Sequence, residues 1–122
     1  MRLKTEFWIK AYLRRVRSLG AFAAVLHHGD DDNGIIYVKL NRLDGSATLF
    51  GPAPPSLDRD ADGDDERRFV RDHKPGTLIE SEVDALVNRH RDFDPDIWVV
   101  EIESRDGQHG LDDWFVTPNQ DR

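Results

Sequence analysis

Residues 34–54 read GIIYVKLNRLDGSATLFGPAP, and this stretch decides the fold class. Successive side chains of an extended chain point to opposite sides, so Ile36, Val38 and Leu40 share one face while Ile35, Tyr37 and Lys39 share the other. Asp44 and Gly45 then supply a strong hairpin signal, and SATLFG resumes the extended pattern. Pro52, Pro54 and Pro55 end it, because each removes a backbone donor and fixes its own φ. The stretch is therefore a β-hairpin with one side buried and the other partly wet.

Upstream of the hairpin, AFAAVLHH (21–28) also alternates with a period of two, and GDDDN separates it from the hairpin. An antiparallel three-stranded meander is the simplest expectation. The segment before it, TEFWIKAYLRRVRSLG (5–20), changes to a helical period, with Thr5 as a cap and Gly20 as a stop. Trp8, Ala11, Tyr12, Val16 and Leu19 form its apolar stripe, and Glu6, Lys10, Arg14 and Arg17 lie opposite. Arg15 falls inside the stripe, where a guanidinium must snorkel to water or pair, and Glu101 or Glu103 is the expected partner.

Downstream, RRFVR (67–71) reads as a short edge strand whose charges discourage pairing with other molecules. Thr77 with Glu80 and Ser81 with Asp84 fit the polar capping pattern, and Ile79, Val83, Leu86, Val87 and His90 recur at helical spacing, which predicts a second helix over 78–91. Pro95 forbids its continuation, and IWVVEIE (97–103) is a strand rich in β-branched and aromatic residues. Asp106 and Gly107 make another turn, after which LDDWFV (111–116) either returns as a strand or caps the core with Trp114 and Phe115. The expectation is one α+β domain spanning 1–122, with a flexible acidic loop at 51–66 and a flexible tail at 117–122. Both helices are expected on one face of the sheet, burying Trp8, Tyr12, Val16, Leu86, Val87 and Trp98 against Ile36, Val38 and Leu40, with the other face free for contacts.

Three blocks, MRLKTEFWIKAYLRR, VKLNRLDGSATLFGPAP and RDFDPDIWVVEIESRDG, occur in an order that resembles a small bacterial family, the domain-of-unknown-function group fourteen-ninety-one. The resemblance covers nearly the whole chain outside the acidic loop. It implies a stand-alone cytoplasmic domain found mostly in proteobacteria, with no established activity, cofactor or catalytic residue, so no site carries over from it.

Composition narrows the functional classes. The 122 residues suffice for one ordinary core. Without cysteine the chain has no disulfide, thiolate nucleophile or cysteine-ligated metal. No apolar run approaches the roughly 18 residues that span a bilayer, and the N-terminus lacks the apolar stretch of a secretory signal, so a cytoplasmic location is expected. Residues 1–20 hold six Lys or Arg against Glu6 alone, a balance of +5, which leaves −12 for the rest of a chain whose net charge is −7. An acidic body opposes broad binding to a phosphate backbone, so nucleic acid is not an expected partner, except through the first helix.

Several motifs invite chemistry. LDRDADGDDERRF (57–69) places Asp58, Asp60, Asp62 and Gly63 as the opening half of a calcium loop, but the twelfth position, which needs a bidentate Glu, is Phe69. It reads as a solvated acidic loop, and no cofactor is expected. His27, His28, Asp30, Asp31 and Asp32 could hold a divalent ion, yet strand alternation sends the two histidines apart, and a polar turn is the better reading. Glu101 and Glu103 share a strand face, with Asp106, His109, Asp112 and Asp113 following, which makes Glu101, Glu103, Asp106 and His109 the candidate set for metal-dependent hydrolysis. A nuclease of the Glu-x-Lys type would need a lysine where Arg105 stands, and arginine stays protonated. Ser18, Ser46, Ser56, Ser81 and Ser104 sit in no nucleophile context, and no phosphate-binding glycine loop occurs. What remains is the basic face of the first helix, Lys10, Arg14 and Arg17, which could meet an acidic partner, a nucleic-acid backbone or an anionic membrane, against the plainer reading of a docked helix's wet face; a protein partner is the expectation, with no membrane. The leading expectation is a non-catalytic binding module.

Overall fold

The computed structural model describes residues 3–54, 67–74, 76–112 and 114, and it organises the sheet around a strand from the end of the chain. In order, the elements are α1 (Thr5–Ser18), β1 (Phe22–His27), β2 (Ile36–Asn41), β3 (Ser46–Pro52), β4 (Phe69–Arg71), β5 (Leu78–Ile79), α2 (Glu80–Phe93) and β6 (Trp98–Glu103). They form one mixed sheet in the order β1-β6-β2-β3-β4, with β5 against β3. The chain is thus an α+β domain, with two helices among the described residues.

β6 is central because its sequence demands it. Trp98, Val100 and Ile102 are buried on one face and Ile97 and Val99 on the other, and a strand apolar on both faces needs cover above and below. It pairs parallel with β2, Tyr37 beside Val99 and Lys39 beside Glu101, and antiparallel with β1. The expected meander of three sequential strands is therefore corrected: β1 and β2 are not neighbours, and β6 fills the space between them. The segment between β1 and β2 crosses the end of β6. Asp30 N donates to the Asp96 carbonyl (2.9 Å), Trp98 Nε1 donates to the Asp30 carbonyl (2.8 Å), and Trp98 N donates to the Ile35 carbonyl (2.8 Å). A Cβ on Gly29 would stand 2.2 Å from the Asp96 carbonyl oxygen, so only glycine allows the chain this close.

The hairpin forms as its turn residues dictate. Leu43 and Gly45 adopt φ of 66° and 92°, and the Asp44 carboxylate accepts from Ser46 N (2.9 Å) and Ser46 Oγ (2.6 Å). β3 continues through Pro52, two residues into the stretch expected to be loop, while residues 55–66 and 115–122 lie outside the described residues.

The helices cover opposite faces, which corrects the expectation that both lie on one. Trp8, Ile9, Tyr12 and Val16 of α1 pack on Ile36, Val38, Leu40, Phe50, Trp98, Val100 and Ile102. Val83 and Val87 of α2 pack on Tyr37, Ala47, Leu49, Ile97 and Val99. The reason is that β2 and β3 carry apolar residues on both sides, so a single layer of helices would leave Tyr37, Leu49 and Val99 in water. The stripe of α1 is also rotated from the expected one: Ile9 is buried, whereas Ala11 and Leu19 are exposed. Trp8 anchors α1 through rings at 5.2–5.4 Å from Tyr12, Phe69 and Trp114.

Candidate functional site

Three clusters of polar side chains stand out among the described residues. The first joins α2 to the sheet. Lys39 is almost fully buried, and its Nζ donates to Glu80 Oε2 and Asp84 Oδ1, each at 2.7 Å, with Glu101 Oε2 at 3.9 Å. Asn41 Nδ2 donates to Glu101 Oε2 (2.9 Å) and Glu80 Oε2 (3.2 Å). Burial opposes the lysine's charge, but the hydrogen bonds to Asp84 and Glu80 and the charge of Glu101 outweigh it and hold its pKa above the ordinary lysine value. The lysine ammonium occupies the place where a cation would sit among these carboxylates. The sequence pattern that marked Glu80 and Asp84 as helix-capping residues reports this inward pair instead; at the helix start it is Glu82 that accepts from Ile79 N, at 3.3 Å.

The second cluster was not anticipated. His90 of α2 stacks on the Tyr37 ring with centroids 4.2 Å apart, and its Nε2 lies 2.7 Å from Asp72 Oδ2. Burial first, and then the charges of Asp72 and Asp94, push the Tyr37 hydroxyl up to about 12, so it stays protonated at neutral pH. The only sequence signal was His90 at the apolar spacing of the helix.

The third lies on the α1 face. The His109 carbonyl accepts from the Tyr12 hydroxyl, His109 Nδ1 accepts from Leu111 N (2.9 Å), and the ring stands edge-on to Phe50 at 4.9 Å. Burial, aided by Arg42 and opposed by Asp112, lowers the pKa of His109 below that of a free imidazole. Because Nδ1 accepts, the neutral ring carries its proton on Nε2.

The four candidate hydrolytic residues therefore do not converge. Glu101 lies on the α2 face, engaged with Asn41, and Glu103 shares that face two residues on. His109 lies on the α1 face, across the sheet, and Asp106 sits in an exposed turn. Among the described residues no group of three or more His, Asp or Glu side chains is placed to hold a metal ion. Asp58, Asp60 and Asp62 lie outside the described residues. His27 and His28 part: His27 Nε2 lies 3.0 Å from the Pro95 carbonyl, while His28, just past the end of β1, lies tilted on the Trp98 ring with centroids 4.0 Å apart and bonds Asp31. The Asp30 carboxylate accepts from Asn33 N and Asp32 N, completing a polar turn. That turn also receives α1, whose Thr5 N and Glu6 N donate to the Asp32 and Asp31 carbonyls. Thr5 is not the cap: its hydroxyl donates to the Gly34 carbonyl (3.0 Å) and accepts from the buried Arg67 (2.9 Å).

The basic residues of α1 remain on the surface. Lys10, Arg14 and Arg17 line a shallow open groove with Leu13 on α1. Lys10 Nζ lies 3.4 Å from Glu6 in an exposed i,i+4 pair, and Arg17 Nη2 donates to the Ala23 carbonyl of β1 at 2.8 Å. Arg15 points the other way, stacked 4.9 Å over the Trp114 ring, which corrects its expected pairing with Glu101 or Glu103 on the far side of the sheet. Among the described residues no helix is long and apolar enough to cross a membrane.

Three solved structures are similar over most of this chain. The crystal structure of a DUF1491 family protein from Caulobacter crescentus CB15 is 37% identical, covers 94% of this chain and 98% of its own, and superposes with a TM-score of 0.75. The solution structure of protein Atu0922 from A. tumefaciens is 44% identical over 85% of this chain and 87% of its own, with a TM-score of 0.70. An NMR structure of a DUF1491 family protein from Caulobacter crescentus CB15 is 41% identical over 90% and 93%, with a TM-score of 0.71. No curated protein matches. The family model described as protein of unknown function DUF1491 matches residues 3–112, and with a match of that length the chain belongs to the DUF1491 family.

Proposed function

We propose that the protein is a non-catalytic module of the cytoplasm that binds an acidic protein partner through the flank of α1 formed by Lys10, Arg14 and Arg17. The observation that carries this reading is their common placement: three cations at helical spacing line one open groove beside the sheet. The grouped ionisable residues of the interior are by contrast engaged with one another, Lys39 with its carboxylates and His90 with Asp72. Such groups hold structure together, whereas an exposed cationic strip on an acidic protein steers a complementary partner and sets its orientation. Nucleic acid is the weaker occupant, since the −12 outside the first twenty residues repels a phosphate backbone at every approach other than this one.

The test is the combined charge reversal Lys10→Glu, Arg14→Glu and Arg17→Glu. Lys10 and Arg14 are exposed and contribute little to the fold, while Arg17 gives up its hydrogen bond to the Ala23 carbonyl, so the melt should fall by no more than about 1 kcal/mol. Partners captured by the parent protein should be lost by the variant, and labelled duplex DNA should bind neither at low salt. A partner set that survives the reversal overturns the reading.

A further inference from the structure

Resting on that reading, we propose that the partner enters as an extended strand: an acidic segment adds to the open edge of β1, with its carboxylates on the α1 side. The two edges of the sheet differ. β4 has three residues, and its Phe69 N already donates to the Trp114 carbonyl at 2.8 Å, so the segment ending at Trp114 covers that edge. β1 has six residues, FAAVLH, without a lysine, proline or acid to guard it, and among the described residues no strand pairs with its outer side. A long apolar edge left uncovered is a template for strand addition, which gains main-chain hydrogen bonds from the incoming peptide and specificity from alternate side chains.

The side chains around the edge state which segment fits. Phe22 is 62% exposed, Leu26 52% and Val25 39%, so both faces of the edge offer apolar surface. On the α1 side, Ala23 and Val25 pair with Ile102 and Val100, and Arg17, which lines the groove with Lys10, Leu13 and Arg14, donates to the Ala23 carbonyl. On the α2 side, Phe22 and Ala24 pair with Glu103 and Glu101, which repel carboxylates. An incoming strand therefore places acidic residues toward α1 and apolar residues toward Phe22, in strict alternation. A register irregularity between Val25 and His27 limits regular pairing to residues 22–25. A second copy of the chain is disfavoured: antiparallel pairing of β1 with itself keeps equivalent faces together and sets one cationic α1 flank against the other.

Three short peptides of the same length test this against the full chain: one alternating Glu and Val, one with the same residues in two blocks, and the alternating peptide N-methylated on every second amide. Binding is read by fluorescence anisotropy at low salt, and strand formation by amide hydrogen exchange. The alternating peptide should bind at least tenfold more tightly than the blocked and N-methylated ones, and it should slow exchange at residues 22–25. Lys10→Glu with Arg14→Glu should weaken it tenfold or more, as should Val25→Glu, which sets a carboxylate against the peptide's own on the α1 side, with melts unchanged. Equal binding by all three peptides overturns strand addition and leaves the interaction reading standing. Binding by none overturns both. A dimer whose residues 22–25 are already protected without peptide assigns the edge to a second copy and overturns the proposal.

Discussion

At the scale of single residues, burial outweighs the nearby carboxylate of Asp112 and decides what His109 does. Its ring lies against Phe50, its Nδ1 is taken by Leu111 N, and Arg42 adds a positive charge nearby, so the protonated form is disfavoured in the folded state. The unfolded chain, with an ordinary value of 6.5, takes up a proton more readily. The contribution of His109 to stability is therefore complete above pH 6.5 and is lost as the pH falls toward the lower folded value. His109→Asn keeps an acceptor for Leu111 N but cannot titrate. The parent's melting temperature should drop more steeply between about pH 7 and pH 5 than the variant's, since only the parent loses this linkage. Parallel pH profiles would sink the argument. Nothing in the motif reading separated this histidine from the neighbouring acids, because what distinguishes it is the aromatic wall brought from β3.

At the scale of elements, α2 is held by more than its two valines. Lys39 ties the helix to β2 and β6 through Glu80, Asp84 and Glu101. Removing a buried partner leaves like charges facing one another, although Glu80 and Asp84 are exposed enough to turn toward water. Lys39→Met should therefore cost about 1–3 kcal/mol in urea unfolding, less than a fully enclosed pair. Adding Glu101→Gln should recover part of that loss, because it removes the carboxylate that stays buried; a Lys39→Met protein as stable as the parent would refute the role. Most elements were legible in the sequence, announced by a local period: the hairpin by Asp44 and Gly45, α2 by Val83, Leu86, Val87 and His90, and β6 by its apolar run; β5 was not, since Leu78 and Ile79 fell within the expected helix. The partners were not. A period shows that a helix must bury one side but not which face of the sheet receives it, and the Lys39 cluster joins positions 41 and 62 residues apart. One clue was nevertheless present: apolar residues on both sides of IWVVEIE already called for a strand covered above and below.

At the scale of the whole molecule, the sheet is completed from its C-terminal end. β1 is held in the sheet through β6, and β6 is the last strand among the described residues. Without it α1 and β1 lose Trp98, Val100 and Ile102, the middle of the core they pack on, while Tyr37 and α2 lose Ile97 and Val99 on the other side. A sequential meander would have allowed the first half of the chain to form a sheet alone. Here the contacts that close the structure span most of its length, so loop-closure entropy is met before the core gains from burial. Two outcomes follow from this topology. The full chain should refold on the millisecond-to-second scale typical of non-local pairing, in one cooperative phase. A fragment ending at Asp96 should show no cooperative melt and unprotected amides throughout β1, and mixing it with a synthetic peptide of residues 97–112 should restore both. A fragment that melts cooperatively by itself would show that β2, β3 and α1 make a sufficient core without β6, and that the central strand is an addition to the fold rather than its organiser.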